Sequence, residues 1–282
     1  MKTVLEILKL STAYLTDHQV QNPRREAEEL LAYALHLSRL DLYLQFDRPL
    51  METELAVCRG YLQRRGKGEP FQYIKGEVSF LECSISLNHA VLIPRHETEL
   101  LADKIAQALS KEELDGKTLL DLCCGSGCLG IALKKRFPIL NVILSDISPS
   151  ALAVARLNAE RNEVDLSFLE GDLLAPFKNR RAHFIVCNPP YVSEEEFPSL
   201  DREVRQFEPK IALVGGRTGF EFYERLAIAL PDALVPHGKV WMEVGATQGE
   251  RLRQIFNHSS WKNSEIQKDL SGNDRFFLLE IE

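Results

Sequence analysis

Asn188-Pro189-Pro190-Tyr191 is the stretch whose residue types point most directly to chemistry. It follows His183-Phe184-Ile185-Val186-Cys187, a short β-branched and aromatic run that reads as a buried strand. Two prolines cannot donate ladder hydrogen bonds, so the chain must leave the sheet at Asn188. Pro190 also biases Pro189 toward extended geometry, and proline carries an acceptor carbonyl without an N–H. The loop is therefore stiff and rich in acceptors, with the Asn188 side-chain carbonyl beside them. Two acceptors and the flat ring of Tyr191 can hold a planar NH2 group for alkylation. Taken alone, the same four residues can equally well just end a strand.

A second stretch joins a strand to a helix through Asp121-Leu122-Cys123-Cys124-Gly125-Ser126-Gly127. Gly125 and Gly127 allow close approach of backbone to a ligand at the start of the following helix. With Gly130 the run satisfies the dinucleotide pattern G-x-G-x-x-G, and Asp146 ends the next strand about 20 residues on, where its carboxylate can accept both ribose hydroxyls. A nucleoside ligand is expected. NAD and S-adenosyl-L-methionine both offer that ribose. Asp121 favours the second, because a carboxylate at the end of the first strand suits a cationic amino-acid tail and repels a pyrophosphate. A turn or capping role is the structural alternative for Asp121.

These loops require strands and helices to carry them. Residues 118–122, 141–145, 166–169, 184–187, 239–244 and 275–281 read as strands, and 129–137, 148–162 and 249–256 as helices, with a further amphipathic helix through Leu100, Leu101, Ile105 and Leu109. Ser148-Pro149 has the form of a cap and first helical position. Such alternation predicts an α/β fold with a doubly wound, mostly parallel sheet and ligands at the strands' carboxyl ends. The chain up to about residue 70 is helical in period throughout, with one helix following Asn22-Pro23 as cap and first position and another over 52–65. Alternation of Leu81, Cys83, Ile85 and Leu87 with polar residues marks a β-hairpin linker. The expected division is a small N-terminal helical bundle at 1–70, the β-hairpin linker at 71–93 and a ligand-binding domain at 94–282.

A net charge of −7 over 282 residues, with no basic block, argues against non-specific binding to phosphate backbones. The six cysteines form no C-x-x-C pair and show no ligand spacing with histidine, so no metal site or disulfide framework is expected. No apolar run approaches a membrane span, and a cytoplasmic location is expected.

Together, Asp121 with the Cys123–Gly127 loop, Asp146, Gly171-Asp172-Leu173 and Asn188–Tyr191 resemble the class I S-adenosyl-L-methionine-dependent methyltransferases, in the same order along the chain. Within that class nearly the whole length resembles the HemK-type peptide chain release factor glutamine methyltransferases. Gln72-Tyr73-Ile74-Lys75-Gly76 resembles their hairpin linker, and Leu92-Ile93-Pro94-Arg95-His96-Glu97-Thr98-Glu99 one of their signatures. Arg205-Gln206-Phe207-Glu208-Pro209, Glu243-Val244-Gly245 with Gln248, and Asp274-Arg275 also fit.

The resemblance implies S-adenosyl-L-methionine as cofactor, held by Asp121, Cys123, Cys124, Gly125, Ser126, Gly127 and Asp146, with Leu173 at the adenine and Asn188 shared with the substrate. It implies that Asn188, Pro189, Pro190 and Tyr191 grip a glutamine side chain, with Asn188, Pro189 and Tyr191 serving methyl transfer. The implied partner is a release factor acting as protein substrate, without direct nucleic-acid binding, and a monomer is expected. Glutamine methylation of a ribosomal protein, and methylation of an adenine or guanine amino group, are the alternatives. The chain departs from the family at two positions: Cys123 stands for a glycine and His96 for a proline. Cysteine is expected to be tolerated at 123 provided that the position does not require positive φ.

Overall fold

The computed structural model describes residues 2–282, which form two compact units. The first contains residues up to Gly76 together with 201–207. Its helices are α1 (Val4–Asp17), α2 (Pro23–Ala34), α3 (Arg39–Leu44), α4 (Glu52–Gly66) and α5 (Phe71–Lys75). Thr3 and Glu6 cap α1 reciprocally, each side chain binding the other's backbone N–H. Asn22 does not cap α2 with its side chain as the sequence suggested; it turns through the left-handed region, φ 49°, and Pro23 starts the helix. The apolar stripes meet in one core of Val4, Leu8, Leu15, Leu30, Leu31, Leu42 and Leu50.

Glu28 is a carboxylate buried inside this unit. Glu28 accepts hydrogen bonds from Arg24, Arg39 and Tyr43 at 2.7, 2.6 and 2.5 Å. Burial raises its pKa, but the three donors outweigh that and hold it at about 2.

Two expectations about residues 71–93 change. Residues 71–75 are helical because Pro70 precedes a short turn that Gly76, at φ 75°, closes. The alternation that marks the hairpin starts only at Leu81; here Tyr73 and Ile74 are adjacent and both buried, as a helical turn allows. The hairpin proper is β1 (Glu77–Phe80) and β2 (Cys83–Ser86), and it belongs to the second unit. It is no free linker. The amides of Asn158 and Asn162 bond the N–H and C=O of Ser86 and Ser84, at 2.7 to 3.1 Å, as a neighbouring strand would.

The second unit continues with α6 (His96–Leu109), β3 (Thr118–Leu122), α7 (Cys128–Arg136), β4 (Asn141–Asp146), α8 (Pro149–Arg161), β5 (Ser167–Glu170) and β6 (Ala182–Cys187). After α9 (Arg202–Phe207), which belongs to the first unit, come α10 (Glu221–Ala233), β7 (Leu234–Glu243), α11 (Gly249–Ile255), β8 (Trp261–Lys268) and β9 (Asp274–Ile281). The sheet order is β5-β4-β3-β6-β7-β9-β8, parallel from β5 to β7 and antiparallel at β9 and β8. The order reverses beside β3, which puts the ligand crevice at the carboxyl ends of β3, β4 and β6. Leu120, Ile185 and Met242 on one face of the sheet share a core with Tyr223, Leu226 and Leu230 of α10. Helices α6, α7 and α8 pack against β7, β3, β4 and β5.

β8 carries no apolar alternation, and the sequence reading does not include it. It is an edge strand, mostly exposed, and its Lys262, Glu265 and Lys268 are charges of the kind that blunt an open sheet edge. Among the described residues no helix is long and apolar enough to cross a membrane.

Candidate active site

The loop after β3 is built on three left-handed residues, Cys123 at φ 56°, Gly125 at φ 53° and Gly127 at φ 78°. The condition attached to Cys123 is therefore not met: its position does require positive φ, and a non-glycine residue holds it at a cost of roughly 1–3 kcal/mol. Backbone bonds secure the turn, Cys124 N–H to the Ser145 carbonyl at 3.0 Å and Gly127 N–H to the Cys124 carbonyl at 2.7 Å. Gly130, on α7, packs so closely that a Cβ there would lie 2.7 Å from Leu144 and 2.9 Å from Asp121 Oδ2.

Both expected carboxylates stand at this end of the sheet. Asp146 accepts from Gly125 N–H through Oδ2 and from Ser148 N–H through Oδ1, each at 2.9 Å. Burial raises its pKa while these amides oppose the rise. Asp121 accepts the Gly130 N–H through Oδ2 at 2.9 Å, so the capping role is real, while the residue also lines the cavity. Burial pushes its carboxyl up to about 7, the Gly130 amide pulls it down, and the charge of Asp146 adds to the rise.

A cavity of about 300 Å³ opens here. Asp121, Cys123, Cys124, Gly125, Ser126, Asp146, Leu173, Asn188 and Pro190 all line it. Gly127, Pro189 and Tyr191 do not. Gly127 instead makes room for Leu144, Ala155 and Ile131. Leu173 is also left-handed, φ 49°, which turns the chain after β5 so that its side chain becomes a wall. The donor set fits a nucleoside with a cationic tail: a carboxylate for ribose hydroxyls, a second for positive charge, and apolar Leu173, Ile147 and Phe222 for a base. Among the described residues no group of three or more His, Cys, Asp or Glu side chains is placed to hold a metal ion.

The Asn188–Tyr191 loop is braced from behind. A Cβ on Gly215 would fall 2.3 Å from the Pro190 carbonyl oxygen, and one on Gly219 would fall 2.4 Å from that of Tyr191. Gln248 Nε2 donates to the Tyr191 carbonyl at 3.0 Å, and Val192 exchanges backbone bonds with Leu213 and Gly215. The Tyr191 ring does not cover the cavity as the sequence suggested. It packs on the sheet core, with its hydroxyl 3.4 Å from Glu243. Asn188 Nδ2 lies 3.4 Å from Thr98 Oγ1, which donates to Glu243 Oε2 at 2.6 Å.

Thr98, Leu92 and Pro94 line the cavity from the segment that leads into α6, and Ile211, Ala212 and Arg225 from the opposite side. None of these was a site residue in the sequence reading. Glu208 ties the two sides together, accepting Ile93 N–H at 3.0 Å and the Arg95 guanidinium at 2.5 Å. His96 sits at the first position of α6, where proline is favoured but not required, so that departure leaves the helix intact.

A seven-stranded sheet of this order with its ligand loops at the carboxyl ends of β3, β4 and β6 defines a class I methyltransferase. Residues 96–203 match the family described as Methyltransferase small domain, and residues 6–76 match the PrmC N-terminal domain. The release factor glutamine methyltransferase of Chlamydia trachomatis serovar D is 42% identical, covering 98% of this chain and 93% of the relative. That of Geobacter sulfurreducens is 38% identical over 97% and 95%. A solved T. thermophilus 16S rRNA methyltransferase in complex with AdoMet and guanosine shares the fold at 15% identity, with TM-score 0.53 over 73% of this chain and 50% of that one. The chain belongs to the release factor glutamine methyltransferase family.

Two predictions follow from the site's geometry. Affinity for S-adenosyl-L-methionine should rise with pH through about 7, because Asp121 must lose its proton to face a cation. Calorimetry at pH values on either side of that point checks it; Asp121→Asn should flatten the profile, and a flat wild-type profile removes Asp121 from the cation site. At Cys123, glycine should bind the cofactor within a few-fold of wild type, whereas Cys123→Val should weaken binding at least about tenfold, since β-branched residues are outliers in the left-handed region. Equal affinities for all three would mean that the loop relaxes without cost.

Proposed function

We propose that this protein methylates the side-chain amide nitrogen of the glutamine in the Gly-Gly-Gln motif of class 1 peptide chain release factors, with S-adenosyl-L-methionine as methyl donor. The observation that carries the reading is one cavity whose wall includes both strand-end carboxylates, Asp121 and Asp146, and Asn188. The names of the full-length relatives in C. trachomatis and G. sulfurreducens support the substrate.

An amide nitrogen is a poor nucleophile because its lone pair is delocalised into the carbonyl. Asn188 Oδ1 accepts one N–H of the substrate amide and the Pro189 carbonyl the other. The Pro190 carbonyl is unsuited to that role because it faces Gly215. Two acceptors raise electron density on nitrogen and fix which face it presents, combining orientation with electrostatic preorganisation. Bound S-adenosyl-L-methionine supplies a methyl group on a positively charged sulfur. Asp146 would hold the ribose, Asp121 would face the cationic amino-acid tail, and Leu173 would pack on the adenine. The surplus proton leaves the nitrogen after transfer, and none of these residues is assigned as its base.

Asn188→Ala should leave cofactor affinity within a few-fold and cut single-turnover methylation by about 100-fold, the scale of losing one preorganised transition-state contact. The assay is mass spectrometry of intact release factor after incubation with enzyme and cofactor. Wild-type turnover by the variant would reduce the loop to a strand terminator. If the wild type adds no methyl group, the proposed substrate is wrong.

The N-terminal helical unit supplies docking surface for the protein substrate, since a single glutamine side chain offers too little contact to select one protein. On α3, Leu40 and Leu44 are 69% and 76% exposed and take no part in this unit's core, and Tyr43 beside them is 41% exposed while its hydroxyl reaches Glu28. Leu40→Ser with Leu44→Ser should lower the rate on intact release factor about tenfold or more while leaving a short Gly-Gly-Gln peptide unaffected. Equal losses on protein and peptide would place the docking surface elsewhere.

A further inference from the structure

The role of Asn188 depends on which end of its amide faces the cavity, and nothing in Asn188 itself decides this. Oxygen and nitrogen have nearly the same shape. If the NH2 end pointed inward, a substrate amide nitrogen would meet a donor where the reaction requires an acceptor. The choice has to come from neighbours.

Those neighbours form a chain of hydrogen bonds with a fixed direction. It starts at Glu243, the last residue of β7, which is 1% exposed. Both of its carboxylate oxygens accept in this network, Oε2 from Thr98 and Oε1 from Tyr191, and neither is placed as a donor. Glu243 Oε2 lies 2.6 Å from Thr98 Oγ1, so the Thr98 hydroxyl commits its single proton to Glu243. Thr98, itself 5% exposed in the first turn of α6, is left with lone pairs only. Asn188 Nδ2 is 3.4 Å from that oxygen, and the Asn188 amide can meet it only as a donor. Oδ1 then points the other way.

We propose that Glu243 and Thr98 are positioning residues that set the polarity of the Asn188 amide, turning its oxygen toward the substrate nitrogen. Glu243 acts at both ends of the loop. Its Oε1 receives the Tyr191 hydroxyl at 3.4 Å, so one carboxylate orients Asn188 through Thr98 and anchors Tyr191 three residues later. Its own backbone is fixed by the Tyr223 hydroxyl, which donates to the Glu243 carbonyl at 2.8 Å from the core of α10. This assigns to Tyr191 a task different from stacking on substrate: its hydroxyl completes the bracket. It also gives a physical reason for an acidic residue in a sheet core, a place where an unpaired charge is expensive.

The inference deepens the functional reading proposed above and rests on it for its catalytic part, so the test includes a readout that needs no substrate. Thr98→Val is nearly isosteric and removes only the hydroxyl; Thr98→Ser restores it. In side-chain amide NMR, the Asn188 NH2, assigned by its loss in Asn188→Ala, should exchange with solvent deuterium at least about tenfold faster in Thr98→Val and Glu243→Gln than in wild type, the scale of one hydrogen bond lost. Thr98→Ser should recover slow exchange. Single-turnover methylation of intact release factor, measured at saturating S-adenosyl-L-methionine, should fall by a similar factor or more in Thr98→Val and recover in Thr98→Ser. Slow Asn188 exchange in Thr98→Val overturns the proposal. Serine that fails to rescue either readout overturns it as well, because the hydroxyl is then not the determinant. If the wild type does not methylate release factor, the functional reading falls and exchange alone decides the network.

Discussion

The site depends first on the register between β3 and β6. Leu122 lies opposite Cys187 in a parallel pair, so the two strands run out of sheet at the same level and on the same side. The segments that follow, 123–127 and 188–191, therefore emerge side by side. Beyond the last ladder pair their backbone groups are free for turns and ligands, which makes the carboxyl edge of a parallel sheet a natural binding surface. A shift of one residue in that register would send every β6 side chain to the opposite face and carry Asn188 out of the cavity. The pairing is held by burial: Leu119, Leu122, Phe184 and Ile185 are all at or below 2% exposure.

The same edge collects negative charge. Asp121, Asp146 and Glu243 all sit at or next to strand ends, and burial raises the pKa of each. Each is kept in place by donors that belong to the fold, the Gly130 amide for Asp121, the Gly125 and Ser148 amides for Asp146, and Thr98 with Tyr191 for Glu243. Arg275 opposes the rise at Glu243. Among the described residues no basic side chain does the same at Asp121, where Asp146 adds to the rise. Left to itself, that end of the cavity is short of positive charge. A cationic ligand relieves the shortage, and its binding and the ionisation of Asp121 become two sides of one equilibrium.

How much of this is legible in the sequence differs by element. The strands β3, β4, β6 and β9 are visible because central or well-covered strands are apolar over most of their length, and the Gly125, Gly127, Asp146 and Asn188 positions because their residue types are rare solutions to specific backbone and acceptor problems. β8 is invisible because an edge strand has to be polar. α5 is hidden because five residues are too few for a helical period to show. Thr98 and Glu243 are quoted in stretches that resemble the family, yet they do not read as site residues. They lie 145 positions apart, and only the packing of α6 against β7 makes them partners. Positive φ at Cys123 and Leu173 is equally silent, since neither residue type announces it.

The arrangement also bears on how a glutamine would be told from a glutamate. In the proposed reaction the groups that meet the side-chain terminus are Asn188 Oδ1 and a proline carbonyl, both acceptors. A primary amide offers two N–H bonds to them. A carboxylate offers none, and its negative charge would meet two oxygens beside a cavity whose strand-end residues, Asp121 and Asp146, are already acidic. Sites that hydrogen-bond one polar group reject an analogue lacking it far more strongly than apolar pockets reject a missing methylene, because the buried partners are left unpaired. The reversed case is instructive: with the Asn188 amide turned round, its NH2 would welcome a carboxylate oxygen and repel the amide nitrogen. Selectivity and nucleophile activation thus depend on the same orientation, which is set by the direction in which a single threonine gives its proton.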